Sequence, residues 1–456
     1  MNVNEMLQFV DSLVVEKTGK HLDDVQKAVI EGTWQRQSYN DIAQKSHVTE
    51  GYIGDIASEL WQLLSELLNE DIKKSNFRST LERIYIESGK NCTIYINSDN
   101  NNYSSQTFNH PHKITQENNT NNQEKTIYHD LTLAPQIINF YNRETELKTL
   151  SEWICKGERP FVPTRLISVL GLSGIGKTAL VRRFVDLNLE QFEVIIWKNL
   201  KFPKSLDLLI NDLLNVCQEE AKEILDDKLK QLFNIFTKKK CLIILDDVQN
   251  IFISGQIAGQ YQPEYKDYQK FFQMITEINH QSIIILISQE KCAEMNSLNQ
   301  QLDLSNCLEL SGLNDINILE NTGLNNQDSW LKLIQLYEGN FNYLKDIVSL
   351  IQDVYDGEIT EFLAESSLIF TQNMQSYFND LFKRLSPMEQ QIILELSKFE
   401  QPISREKLNQ NLALSSVDFV NGLQSLQQRY LVTKIKQDKI MFKLSPLFRE
   451  YVKNCY

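Results

Sequence analysis

Two groups of residues in this chain have the types and spacing to handle a phosphate ester. The first is Gly171-Leu172-Ser173-Gly174-Ile175-Gly176-Lys177-Thr178, which fits the pattern GxxxxGKT. It follows Arg165-Leu166-Ile167-Ser168-Val169-Leu170, an apolar run that reads as a buried strand, and precedes Ala179 to Val185, apolar at helical spacing. Glycines Gly171, Gly174 and Gly176 let the backbone turn its N–H groups toward phosphate oxygens. Ile175 and Ala179 supply further N–H groups at a helix N-terminus, whose dipole favours anions. Lys177 is the candidate partner of the β- and γ-phosphates, with a catalytic part in stabilising transferred charge. The Thr178 hydroxyl is a candidate Mg²⁺ ligand.

The second group ends the run Lys240-Cys241-Leu242-Ile243-Ile244-Leu245-Asp246-Asp247. A buried strand that delivers two carboxylates at its end suits a magnesium site: Asp246 would hold the metal's shell and Asp247 would orient or activate a water. Phe140, Tyr141 and Arg143 precede an amphipathic segment from Leu147 to Ile154. The phosphate loop and the paired acids imply a nucleotide phosphate and Mg²⁺ as ligands.

Positioning such groups takes a parallel sheet with helices on both faces. Four further runs read as its strands: Phe192 to Trp197, Lys240 to Val248, Ser282 to Ser288 and Cys307 to Leu310. After Gly312 the pattern is helical. Ser386-Pro387-Met388-Glu389 is a capping box with proline at the first helical position. Further helices follow Ser404 and span Val417 to Arg429, and a hairpin turns around Gln437-Asp438, together a winged helix. Its lysines, Lys434, Lys436, Lys439 and Lys443, read as a solvated edge, and its third helix offers bases little beyond Arg429.

Ahead of the sheet lie two other regions. Residues 91–125 are rich in asparagine, serine and threonine and poor in apolar residues, so they read as a linker; His110 and His112 within it lack partners for a metal. Before it, His21 to Gly32, Tyr39 to Ser46 and a helix N-capped by Thr49 read as a helix-turn-helix. The would-be recognition helix, Thr49 to Glu59, carries Glu50, Asp55 and Glu59 and no basic residue, which disfavours DNA and favours a protein partner.

The chain of 456 residues carries a formal charge of −14. That balance argues against a protein wrapped in nucleic acid, although an average can hide a local basic patch. Seven scattered cysteines without a CxxC pair argue against a disulfide framework or zinc site and for a reducing cytoplasm. The start carries no basic leader, and no apolar run is long enough for a membrane.

Two resemblances organise these readings. The words YNDIAQKSHVTEGYIGDIASELWQLLSELL and KSNFRSTLER resemble the small helix-turn-helix domain at the start of many cyanobacterial signalling proteins, named for its association with von Willebrand A and MoxR proteins. That family implies an adaptor-like module. From Pro135 onward, FYNRETE, GLSGIGKT, FEVIIWKNL, LIILDDV, IIILIS, LELSGL and YEGN stand in the order of an NB-ARC domain, the nucleotide switch of STAND ATPases. This resemblance implies that Phe140, Tyr141 and Arg143 lie beside the adenine and that Gln289 stands at the γ-phosphate sensor. It also implies an ADP-held resting state exchanged for ATP, with slow hydrolysis for resetting. The chain departs from the pattern at four positions: Asn142 replaces a glycine, Gln289 an arginine, Phe341 a proline and Ser445 the histidine that contacts ADP.

The expected architecture is therefore a multidomain α/β protein. It comprises a helix-turn-helix adaptor (1–86), a linker (87–134), a P-loop nucleotide-binding sheet domain (135–312), a helical subdomain (313–375) and a winged helix (376–456). Its expected activity is that of a nucleotide-dependent signalling switch, a slow ATPase that changes conformation or forms a homo-oligomer. The alternatives are a nucleotide-gated DNA-binding regulator and a nucleotide-binding scaffold without turnover. Relatives continue into sensor repeats; no repeat period is visible here, so the signal is expected from a separate protein or through the N-terminal domain.

Overall fold

The computed structural model describes residues 22–35, 37–46, 48–68, 128–137, 140–154, 164–292, 304–436 and 439–456, with isolated positions among 6–14 and 70–81. The linker reading over 91–125, and with it His110 and His112, lies outside the described residues, as do Gln437 and Asp438. Two compact units emerge: one is built mainly on the first 106 residues, and the other contains the sheet and everything C-terminal to it.

In the first unit, helices Asp24–Trp34, Tyr39–Lys45 and Glu50–Leu68 form around a core that includes Val29, Ile30, Ile53, Leu60 and Leu64. Each start is chemically marked: Asp23 with Gln26 and Ser38 with Asp41 form capping boxes, and Thr49 Oγ1 accepts from the Tyr52 N–H at 3.3 Å. Glu50, Asp55 and Glu59 are exposed on the third helix.

The second unit is built on a six-stranded sheet in the order β1-β3-β4-β5-β2-β6, every pairing parallel. The strands are β1 Tyr128–Asp130, β2 Leu166–Leu170, β3 Val194–Asn199, β4 Cys241–Asp246, β5 Ile283–Ser288 and β6 Ser305–Glu309. Strands β2, β4 and β5 are buried throughout, as continuous apolar runs covered on both faces must be. Tyr128–Asp130, in the stretch read as linker, extends the edge of the sheet. Three residues carry too little periodicity to be read as a strand; Lys198 Nζ anchors this one by pairing with Asp130 at 2.6 Å.

Beyond the sheet, helices Trp330–Leu336, Phe341–Tyr355, Gln372–Arg384 and Pro387–Ser397 precede a winged helix. The winged helix adds Arg405–Gln410, Ser416–Gln428, strands β7 Ile403–Ser404, β8 Val432–Lys436 and β9 Ile440–Leu444, and a closing helix, Pro446–Cys455. One apolar core runs unbroken from Ile318 to Val452, so the stretches read as two domains share their interior. Phe378 joins them, its ring 5.5 Å from Tyr343 and 5.7 Å from Phe448. Among the described residues no helix is long and apolar enough to cross a membrane.

Candidate nucleotide-binding site

The strand order decides which side chains meet. Strand β5 lies between β2, which ends at the phosphate loop, and β4, which ends at Asp246; all three run parallel, so their C-terminal ends open on one edge. Ligands of open parallel sheets bind at this edge.

The loop from Gly171 to Gly176 leads into helix Lys177–Leu187. Two glycines are required by close approach as well as by backbone angle. Gly171 has φ 143°, and a Cβ there would meet the Leu310 carbonyl at 2.7 Å. Gly174 has φ 75°, and a Cβ would meet Asn340 Oδ1 at 2.5 Å. Asn340 is tied to the loop from its other end, donating Nδ2–H to the Ser173 carbonyl at 2.8 Å while capping helix Phe341–Tyr355. The YEGN stretch thus braces the outside of the phosphate loop.

Inside the loop, Lys177 is 8% exposed and donates to the carbonyls of Gly171 at 2.9 Å and Leu172 at 2.8 Å. Burial pulls its ammonium down to about 8, against the pull of Asp246 and Asp247. Thr178 Oγ1 lies 3.3 Å from Asp246 Oδ1, so the two candidate metal ligands meet across β5. Asp246 is 3% exposed, and burial, then the adjacent Asp247, raises its carboxyl to about 7. Among the described residues no three His, Cys, Asp or Glu side chains gather to hold a metal alone. A buried acid beside a hydroxyl fits magnesium instead, which takes one or two protein oxygens and completes its shell with phosphate and water. When bound, the ion would neutralise phosphate charge.

This chemistry sets a pH dependence. A metal-binding carboxylate must be ionised, and Asp246 with a value of about 7 is largely protonated at pH 6. The magnesium-dependent gain in nucleotide affinity should therefore fall about tenfold between pH 8 and pH 6. Titrations with and without Mg²⁺ at both values measure it; an unchanged ratio would count against Asp246 as the ligand.

Asp247 adopts a left-handed backbone, φ 60° and ψ 36°, which turns it off the strand axis. Both of its oxygens are held: Asn199 Nδ2 donates to Oδ2 at 3.3 Å and Gln249 Nε2 to Oδ1 at 2.9 Å. Asn199 lies in the FEVIIWKNL stretch, whereas Gln249 belongs to none of the motifs read from the sequence. Gln289 follows β5, and its backbone N–H donates to Gln249 Oε1 at 3.2 Å.

Ile175 is buried behind the loop and Ala179 half-buried in the first turn of the helix. Phe140 and Tyr141 are half-buried; the Tyr141 ring lies 6.0 Å from Phe341, so the aromatic that replaces proline meets the residue expected beside the adenine. Asn142 has φ 35°, a left-handed angle that asparagine tolerates better than most side chains, which lets it stand where glycine is usual. Arg143 is buried and pairs with Glu146 at 2.6 Å.

Ser445 occupies the histidine position but turns to Glu338, donating to Oε1 at 2.9 Å, and its Oγ accepts from the Phe448 N–H at 3.3 Å to cap the last helix. It is a structural cap. Ser445→Ala should cost about 1–2 kcal/mol in denaturant unfolding of this half of the chain; no loss would show that the Glu338 contact contributes nothing.

Arg429, which the sequence offers to DNA bases, is 3% exposed and committed elsewhere. Its Nε pairs with Glu389 at 2.9 Å, Nη1 with Glu290 at 3.1 Å, and Nη2 with the Gln256 carbonyl at 2.7 Å. The end of its helix also rests on the sheet domain: the Ala258 N–H donates to Ser425 Oγ at 2.6 Å and the Lys291 N–H to the Gln428 carbonyl at 3.1 Å.

Parallel sheet, phosphate loop and paired strand-end acids define the fold of a nucleotide-binding P-loop ATPase. Residues 143–261 match the NB-ARC domain family, and residues 1–84 match the vWA-MoxR associated protein N-terminal HTH family, which bears out both resemblances read from the sequence. The chain is 28% identical over 361 residues to an uncharacterised WD repeat-containing protein of Nostoc sp., covering 74% of this chain and 28% of that protein. It therefore spans little more than a quarter of that relative's length. Similar solved structures include a signal transduction ATPase with numerous domains with a tetratricopeptide repeat sensor from Pyrococcus horikoshii, at 17% identity and TM-score 0.34, covering 71% of this chain and 44% of that one. Another is a Walker-type ATPase of Pyrococcus abyssi, at 14% identity and TM-score 0.46, covering 69% and 96%.

Proposed function

We propose that this chain is a nucleotide-dependent switch of the STAND type: it binds ADP or ATP with Mg²⁺, hydrolyses ATP slowly, and changes conformation or assembly state with the nucleotide. Lys177 holds the phosphates, Thr178 and Asp246 hold the metal, Asp247 orients the attacking water, and Phe140, Tyr141 and Arg143 serve the base. The observation that carries the reading is that the segments following β4 and β5 have two tasks. They carry Asp247 and Gln289 just past the C-terminal ends of β4 and β5, and through Gln249, Gln256, Ala258, Glu290 and Lys291 they also hold the helices at the C-terminal end. A change in phosphate number at one end of these segments has a short mechanical path to the other.

The N-terminal unit, with its acidic exposed helix, is the proposed contact for a protein partner in the cytoplasm. DNA is disfavoured because Arg429 and the end of its helix are occupied. The test is to denature the purified protein, identify the released nucleotide, and follow the hydrodynamic radius of the refilled protein in ADP and in ATP with Mg²⁺. Bound nucleotide near one per chain and a radius that differs between the two states are expected. Identical radii, with affinity intact, would overturn the switch and leave a scaffold.

A further inference from the structure

We propose that Gln249 is a positioning residue that makes the hydrolytic competence of Asp247 depend on the docking of helix Gln372–Arg384. The inference rests on the reading of Asp247 as the water-orienting acid. Gln249 is 6% exposed and every polar group it directs inward is used. Its side-chain N–H holds Asp247 Oδ1 at 2.9 Å, its side-chain oxygen accepts the Gln289 N–H at 3.2 Å, and its main-chain carbonyl accepts Arg384 Nη2 at 2.5 Å. Arg384 ends the docked helix and is itself fixed by Glu290, which receives its Nε at 2.6 Å. One residue thus touches the acid, the backbone at the γ-phosphate position and the C-terminal half of the chain.

The consequence follows from the geometry of a carboxylate that must aim a water. Asn199, the last residue of β3, holds the other oxygen from the sheet at 3.3 Å. Gln249 sits in a short 3-10 turn, Val248–Ile251, whose backbone is tied to the docked helix by Arg384. When the helix leaves, that turn loses its charged anchor, and Asp247 loses one of the two donors that fix its rotation. An orientation error of this kind lowers the rate of the chemical step and leaves ground-state phosphate binding alone. Hydrolysis therefore runs in the docked arrangement and stalls in the undocked one, which lengthens the life of an ATP-bound, open protein.

The experiment uses the full chain and measures ATP affinity, KM and kcat for wild type, Gln249→Leu, Arg384→Gln and the double variant. Each single variant is expected to lower kcat about tenfold with affinity and KM within about threefold, and the double variant to fall no further than the lower single, because both act through one contact. The Arg384 side chain is 23% exposed, so its replacement is the variant that tests the proposal if Gln249→Leu does not fold. Unchanged kcat in both variants, a parallel loss of affinity and kcat, or additive losses would overturn it. A wild-type chain that binds ATP and never turns it over would remove the hydrolytic reading of Asp247 and this proposal together, whereas normal turnover in the variants would remove this proposal alone.

Discussion

Lys177→Ala should weaken both ADP and ATP binding by about 100-fold or more, while Asp247→Ala should leave binding within a few-fold and lower turnover by about 10²–10³-fold. The lysine expectation comes from where the ammonium sits. It is buried within the phosphate loop and now donates to two loop carbonyls, neutral acceptors that a phosphate replaces with charged ones. Two charge-assisted hydrogen bonds are together worth about 3 kcal/mol or more, and each 1.4 kcal/mol is a factor of ten. The fold should tolerate the change, since burial already pulls this lysine down to about 8 and so works against its charged form. Fluorescent-nucleotide titration and thermal unfolding on the same samples separate the two effects. Wild-type affinity in the lysine variant would sink the site assignment. For Asp247 the arms are turnover against affinity: lost affinity would mean that it binds rather than orients, and unchanged turnover would favour a scaffold.

Glu290→Ala should undock the C-terminal half, at a cost of about 3–5 kcal/mol to its packing on the sheet domain. Glu290 is 2% exposed and receives two arginines: Arg429 at 3.1 Å, itself 3% exposed, and Arg384 on the other oxygen. Glu389, fully buried, completes the set with its own bond to Arg429. Two acids and two arginines balance, so the network is neutral as it stands. Removing Glu290 leaves one carboxylate for two guanidinium groups in a space with little water, and the cheapest escape is for the arginines to reach solvent by separating the halves. The readout is an earlier first transition in denaturant, since two-state unfolding is not expected of such a chain, with faster proteolysis between the sheet and the helical region. If Glu290→Ala melts and cleaves like wild type, the network does not hold the halves together.

What was legible in the sequence was whatever is encoded over a few neighbouring residues. The glycines, lysine and threonine of 171–178 state their own backbone geometry, apolar runs state buried strands, and Ser386-Pro387-Met388-Glu389 states a helix start; the structure places each as expected. Asn142 also explains itself once its backbone angle is known. The edge strand Tyr128–Asp130 was missed because three residues have no periodicity and their partner is remote.

Tertiary structure alone decided three things. It inserted β5 between the phosphate loop and the paired acids, which brings Gln249 against both Asp247 and the Gln289 backbone. It merged the interior from Ile318 to Val452 into one core, because packing continuity depends on which faces meet. And it committed Arg429, the one residue its helix offered to bases, and Ser445, which stands where the family has its ADP-contacting histidine, to Glu290, Glu389 and Glu338. A side chain's chemistry is written in its type, but its partner is set by the folding of segments 40 or more residues away, and no local pattern records that choice.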